Sequence, residues 1–414
     1  MMRIVACLLL TCAVLLSATA CTQQEDAAAL HLQPMSSPAA SGSLAPRMSV
    51  DDEGRVILSW LEMREAGGHA LRFSRYSGER WSEPRTVSEG SNWFANWADT
   101  PGVRPVGEWL FAHWLVRSGP GTYHYNIHAA WSDDGGRSWS EPFILHQEGR
   151  PAEHGFLSSV VFPEGELGVA WLDGRHTVLK DDAAPDAHGH GGDMSLRWAR
   201  LRPGESVLHR DRELDERVCD CCMTASVMEP EGPRVFYRDR SNEEIRDIRG
   251  IAPEAEEKAE RVFADDWQIA ACPVNGPAAT RLNGGTAVAW YAAPDGDGRV
   301  WLAVRDDESG AYSDPLRVNE GRPLGRVSAV AMNGERLRLF WMEQGDEGAV
   351  LMAREASPDA LSPAHGLKSM SASRASGFPV AVASDHGVIL AWTEAGEGER
   401  SVRVARVLSP DEEE

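Results

Sequence analysis

Short apolar stretches that end in an aromatic residue recur along the chain: VILSW (56–60), LFAHW (110–114), GVAW (168–171), VFY (235–237), AVAW (287–290), LRLFW (337–341) and VILAW (388–392). Each is followed by a turn and then by a second alternating stretch, such as LRFSRY (71–76), IHAAW (127–131), LRWAR (196–200) and VWLAV (300–304). Alternation of apolar and polar positions broken by turn-rich gaps is the signature of β-strands, and no long helical period appears after the N-terminal segment. From one terminal aromatic to the next, Trp60, Trp114, Trp171, Tyr237, Trp290, Trp341 and Trp392 are 51 to 66 positions apart. Repeated units of that size with room for four strands each predict an all-β fold, a β-propeller of seven blades. An incomplete last blade is expected to close by pairing of the segment near Leu30–Gln33 beside Val402–Ala405, which would remove exposed strand edges.

The N-terminus has a different pattern. Arg3 precedes an apolar run from Ile4 to Leu16 broken by Thr11, and small residues lead to Cys21. The run is too short for a membrane span and reads as a signal peptide over 1–20. Cys21 after its small-residue triplet resembles the lipobox of bacterial lipoproteins. That resemblance implies acylation of Cys21, an anchor in a lipid bilayer and, since Thr22 is not aspartate, the outer membrane. Residues 21–43 are rich in Ala, Ser, Gln and Pro and read as a tether, followed by one propeller over 44–409 and an acidic tail over 410–414. The 63 acidic and 41 Lys and Arg residues give a net charge of −22. That balance repels nucleic acid, which is excluded as a partner. A monomer is expected.

One turn is marked sharply. SDDGGRSW (132–139) has Ser132, Asp134, Gly136 and Trp139 at the spacing S-x-D-x-G-x-x-W. Asp134 can bond its own turn, Gly136 supplies a positive φ and Trp139 pins the hairpin. Degenerate copies stand at 77–81 and 306–312. These motifs resemble the Asp-box (BNR) sialidase-like propellers over most of the chain from about Leu44. That family has six blades where seven units are counted here, so a six-bladed ring is the alternative. The resemblance puts the Asp-box opposite the ligand face, which is then built by turns between second and third strands and by links between blades. It also implies an exo-sialidase-like glycoside hydrolase, or a glycan binder that has lost turnover, with a glycan or sugar acid as partner. Such an enzyme needs arginines to grip a carboxylate, an acid, and a tyrosine activated by glutamate. Arg47, Arg175, Arg238 and Arg326 are the candidates for the grip and Asp99 for the acid. Tyr237 or Tyr291 with Glu243 or Glu244 would form the nucleophilic pair. Trp93, Trp97 and Trp109 would suit sugar stacking.

The cysteines open a second reading. Beyond Cys21, the chain holds Cys219, Cys221, Cys222 and Cys272. An even number in an oxidising compartment most simply means two disulfides, with Cys222–Cys272 or Cys221–Cys222 as candidate links. No cofactor is established, but zinc or copper would suit thiolates joined by His154, His176, His188 and His190. A periplasmic metal or redox protein and a protein-interaction scaffold therefore stand as alternatives to the glycan-directed reading.

Overall fold

The computed structural model describes residues 29–178, 191–396 and 399–409. The signal peptide, Cys21, His188, His190 and the acidic tail lie outside them. Seven four-stranded antiparallel sheets form the ring, so the seven-blade count holds and the six-bladed alternative does not. Blades 1 to 6 span 43–90, 102–144, 154–215, 225–261, 278–317 and 323–370. Blade 7 takes three strands from 380–408 and its outermost strand, His31–Met35, from the start of the chain. His31 pairs with Leu408 and Met35 with Val404, so the ends close the ring as the pattern predicted. Part of the segment read as tether, His31–Met35, is therefore strand in blade 7.

Each recurring apolar stretch is the second strand of its blade, and its aromatic is buried. A buried indole must place its N–H, and four blades solve this alike. Trp60, Trp171, Trp341 and Trp392 each donate to the carboxylate two residues on, at Glu62, Asp173, Glu343 and Glu394. Residues two apart on a strand share a face, so a W-x-[D/E] pattern suffices. The apolar clusters lie between blades. Phe111 and Trp131 of blade 2 pack with Leu167 and Trp171 of blade 3, and Val56 and Trp60 of blade 1 with Ile389 and Val404 of blade 7.

The Asp-box holds its turn as expected. Asp134 accepts from the backbone N–H groups of Arg137 and Ser138 and from the Ser132 and Ser138 hydroxyls. Gly136 has φ +81°, and a Cβ there would collide with Phe73. Trp139 meets that same Phe73 edge-on, which joins the hairpin to blade 1 as well as its own blade.

Candidate functional site

The first strands of blades 1, 3 and 6 carry a bulge at the same place, where Ala45, Phe156 and Arg326 adopt φ of 54°, 55° and 56°. The bulges face a cavity of about 250 Å³ on the axis, lined among others by Arg47, Asp99, Leu157, Thr224 and Phe378. A second cavity, of about 260 Å³, shares Ala98 and Phe156 with the first and opens on the face built by the links. Asn96, Trp97, Tyr123, Glu153, Asp220, Cys221, Cys272 and Arg374 line this mouth. Links predicted to form the ligand face thus meet there.

A proton-sharing chain lies across the wall between the two cavities. The Tyr125 hydroxyl is 2.9 Å from Asp99 Oδ2 and 2.9 Å from Glu153 Oε1. A phenol has one hydrogen, so it donates to one carboxylate and accepts from the other, which must carry a proton. Burial raises the Asp99 carboxyl to about 6, against the pull of the Phe156 N–H, Tyr125 and Arg47. Burial raises Glu153 further, to about 8, reinforced by the charges of Asp99, Asp220 and Cys219 and opposed by Tyr125. Glu153 is therefore the protonated member at neutral pH. Burial, with the two carboxylates beside it, pushes the Tyr125 phenol well above its usual range. Asp99 reaches the Phe156 N–H at 2.8 Å only because residue 155 is glycine, where a Cβ would stand 1.7 Å from Asp99 Oδ2.

The structure separates the other predicted site residues. Arg47 lines the axial cavity with Asp99, but its guanidinium is spent on the Thr100 and Leu157 carbonyls, at 3.0 and 2.7 Å, and on His113. Burial, with Arg104 nearby, lowers it to about 10. Arg326 bonds Ser376 and the carbonyls of Gly377, Ala372 and Ser373, over the face of Trp97. Arg175 is clamped bidentately on Asp173, at 2.8 and 2.7 Å, away from the axis. Arg238 is buried in blade 4 on three backbone carbonyls. Tyr237 is fully buried, with its hydroxyl 2.6 Å from Asp215, and Glu243 is an exposed turn residue bonded to Ser241. Tyr291 is half-buried, and Glu244 serves as the hub for Arg217, Arg240 and Arg246. Asp99 and Arg47 are brought to the axial cavity; Arg326 is taken up by the link over Trp97, and Tyr237, Arg238, Arg175 and Glu243 line neither cavity. Of the stacking candidates, Trp97 reaches the mouth, while Trp93 stacks on Trp114 and Trp109 packs edge-on against Trp131.

Two mouth residues escaped the sequence reading. Tyr123 is 52 % exposed, in the turn between second and third strands of blade 2, one of the turns expected to build the ligand face. Arg374 belongs to the link from blade 6 to blade 7, which lacks a conspicuous polar cluster. Its exposed guanidinium stands near Trp97 and makes no hydrogen bond or ion pair among the described residues.

The cysteines pair differently from either expected link. Cys221 joins Cys272, tying the links on both sides of blade 4, while Cys219 and Cys222 are buried thiols. His154 does not join them. Its ring stacks on His146 at 3.5 Å, and both imidazoles flank Glu148. Burial opposes ionisation of Glu148, but the bonds to His146 and His154 outweigh it and hold the carboxyl well below its usual range. His146 Nε2 accepts the Ile127 N–H, which puts the ring proton on Nδ1 facing Glu148 and leaves no lone pair there for a metal. His176 pairs with Glu213.

No protein-family model matches the chain, and no curated protein is similar to it in sequence. Among solved structures it is similar to an ulvan lyase bound to -[GlcA(1-4)Rha3S]-, with TM-score 0.52 and 12 % identity over 93 % of this chain and 97 % of that one. The polysaccharide lyase Uly1 is similar too, with TM-score 0.52 and 9 % identity over 88 % and 90 % of the two chains. A Trypanosoma rangeli sialidase gives TM-score 0.48 at 11 % identity, over 88 % of this chain and 54 % of that one. At such identities the likeness is one of fold alone, and it is carried by the two lyases.

Proposed function

We propose that this protein is a glycan-directed propeller that takes an acidic sugar at the mouth of its axis, with Glu153 as proton donor and Arg374 as carboxylate partner. The observation that carries this reading is the Asp99–Tyr125–Glu153 chain, which keeps a protonated carboxyl in the cavity that Arg374 also lines. General acids need a pKa near the working pH, and a free guanidinium offers two parallel donors to a carboxylate. Tyr123 adds an exposed ring for stacking. Structures that share the fold include polysaccharide lyases, which supports a sugar ligand without fixing the reaction.

The test is a panel of sialosides and uronate-containing oligosaccharides, with binding followed by calorimetry and cleavage by product release. Glu153→Gln should keep binding and lose turnover, and Arg374→Ala should weaken binding at least tenfold. A protein that binds none of these sugars, or binds them unchanged after Arg374→Ala, does not work this way. We further propose that acylated Cys21 anchors the propeller to the outer membrane, a reading supported by the apolar run and small residues before it. Metabolic labelling with palmitate should mark the wild type and not Cys21→Ser. Labelling of both would remove the assignment.

A further inference from the structure

We propose that Cys219, Cys221 and Cys272, when the Cys221–Cys272 disulfide is reduced, form a trithiolate site for a thiophilic metal ion such as zinc or cuprous copper. Four cysteines from two separate links meet here. The Sγ atoms of Cys219, Cys221 and Cys272 lie within 4.8 Å of one another, and Cys219 stands 4.0 Å from Cys272. Sulfurs each about 2.3 Å from a tetrahedral zinc are about 3.8 Å apart, so on reduction Cys221 and Cys272 must part from bonding distance to that spacing, while Cys219 already stands near it from Cys272. The same triangle is unsuited to internal thiol–disulfide exchange, where attacking, central and leaving sulfurs line up. The Cys222 thiol hydrogen-bonds Cys219 and supplies an outer contact.

An independent observation points to an anion at this place. Arg238 is 1 % exposed, yet its guanidinium donates only to the carbonyls of Asn275, Arg246 and Tyr291, and it has no carboxylate ion pair among the described residues. A buried cation without a countercharge is costly. Its charge acts on Cys219, Cys222 and Asp265. Arg246 also acts on Cys219 and is already paired with Glu244. Three thiolates around a divalent zinc carry one negative charge, which would offset the Arg238 guanidinium. Cys221 and Cys272 line the mouth cavity, so the fourth coordination position falls on that side, as in sites with three protein ligands that bind a further group.

The chemistry balances with a thiol reductant. Two RSH molecules become R–S–S–R, the Cys221–Cys272 bond breaks, and each sulfur gains a proton. Metal entry then releases three protons from Cys219, Cys221 and Cys272. This site uses neither Glu153 nor Arg374 as a ligand, but it opens into the cavity they line, and the Cys219 charge also acts on Glu153.

The full chain, reduced with excess thiol and desalted anaerobically, should take up about one zinc ion per chain against a competing chromogenic chelator, and the unreduced chain should take up none. Cuprous ion should bind at the same ratio and give the ultraviolet band of copper–thiolate charge transfer. Cys219→Ala and Cys272→Ala should each lower zinc affinity at least a hundredfold, while Glu148→Gln, at the imidazole cluster, should leave it unchanged. Circular dichroism of each variant shows whether it remains folded. A folded, reduced protein that takes up no zinc or cuprous ion overturns the proposal. So does uptake that survives both cysteine substitutions, which would put the ion elsewhere in the chain.

Discussion

Around Tyr125, single protons decide the state of three residues. Asp99 is held near 6 and Glu153 near 8, both above the ordinary range for carboxylic acids, so the folded protein keeps protons that the unfolded chain would release. This contribution to stability is fully present below about pH 4 and is lost as pH rises, through about 6 for Asp99 and about 8 for Glu153. The slope reaches about 1.4 kcal/mol per pH unit for each such proton. Thermal midpoints measured from pH 4 to pH 8 should therefore flatten between 4 and 6 in Asp99→Asn, and between 5 and 8 in Glu153→Gln. A slope unchanged by both substitutions would assign these protons to other groups. Tyr125→Phe takes away the hydroxyl that both carboxyls share. Leaving buried acceptors unsatisfied costs about 1–3 kcal/mol, to be read as a lower denaturant midpoint at unchanged m value.

At the level of strands, the repeat of apolar stretches ending in an aromatic was legible because each is a second strand buried on both faces. Burial of that kind writes a strong local pattern. The closing strand was legible for a related reason, since an open blade needs a partner and Leu30–Gln33 was the remaining apolar segment. The W-x-[D/E] pairs at Trp60, Trp171, Trp341 and Trp392 were equally present in the sequence but went unused. The site was less legible because an arginine's role depends on what meets it across blades. Arg47, Arg238 and Arg326 suit a carboxylate by residue type, but backbone carbonyls exposed by the bulges and links absorb their donors. Arg374, in an unremarkable link, makes no hydrogen bond or ion pair among the described residues. Deleting 29–35 would remove the strand that covers Arg400–Leu408 and strip Leu30 from its cluster with Val388 and Val407. The expected result is a lower, broader thermal transition with association through the new edge, seen by light scattering. A sharp transition at the parent temperature in a monomeric variant would show that the closing strand is dispensable.

For the whole molecule, charge works against the ligand that the mouth is proposed to accept. At a net charge of −22 the protein repels an acidic sugar at distances up to a Debye length, which is about 30 Å at 0.01 M salt and about 8 Å at 0.15 M. At the mouth the balance is local, with Arg374 lining the cavity and Glu153 mostly protonated at pH 7. Salt screens the long-range repulsion strongly and a short contact weakly. The association rate of an anionic oligosaccharide should thus rise several-fold between 0.01 and 0.15 M salt, while its dissociation rate changes little. A neutral oligosaccharide of equal length should show no such rise. Arg374→Ala should raise the dissociation rate and leave the salt dependence of association in place, since the net charge is nearly the same. Surface plasmon resonance across that salt range separates the two rates. Association that slows with salt would mean that a local basic patch, rather than the acidic body, governs approach, and would move the entry point away from the mouth lined by Glu153 and Asp220.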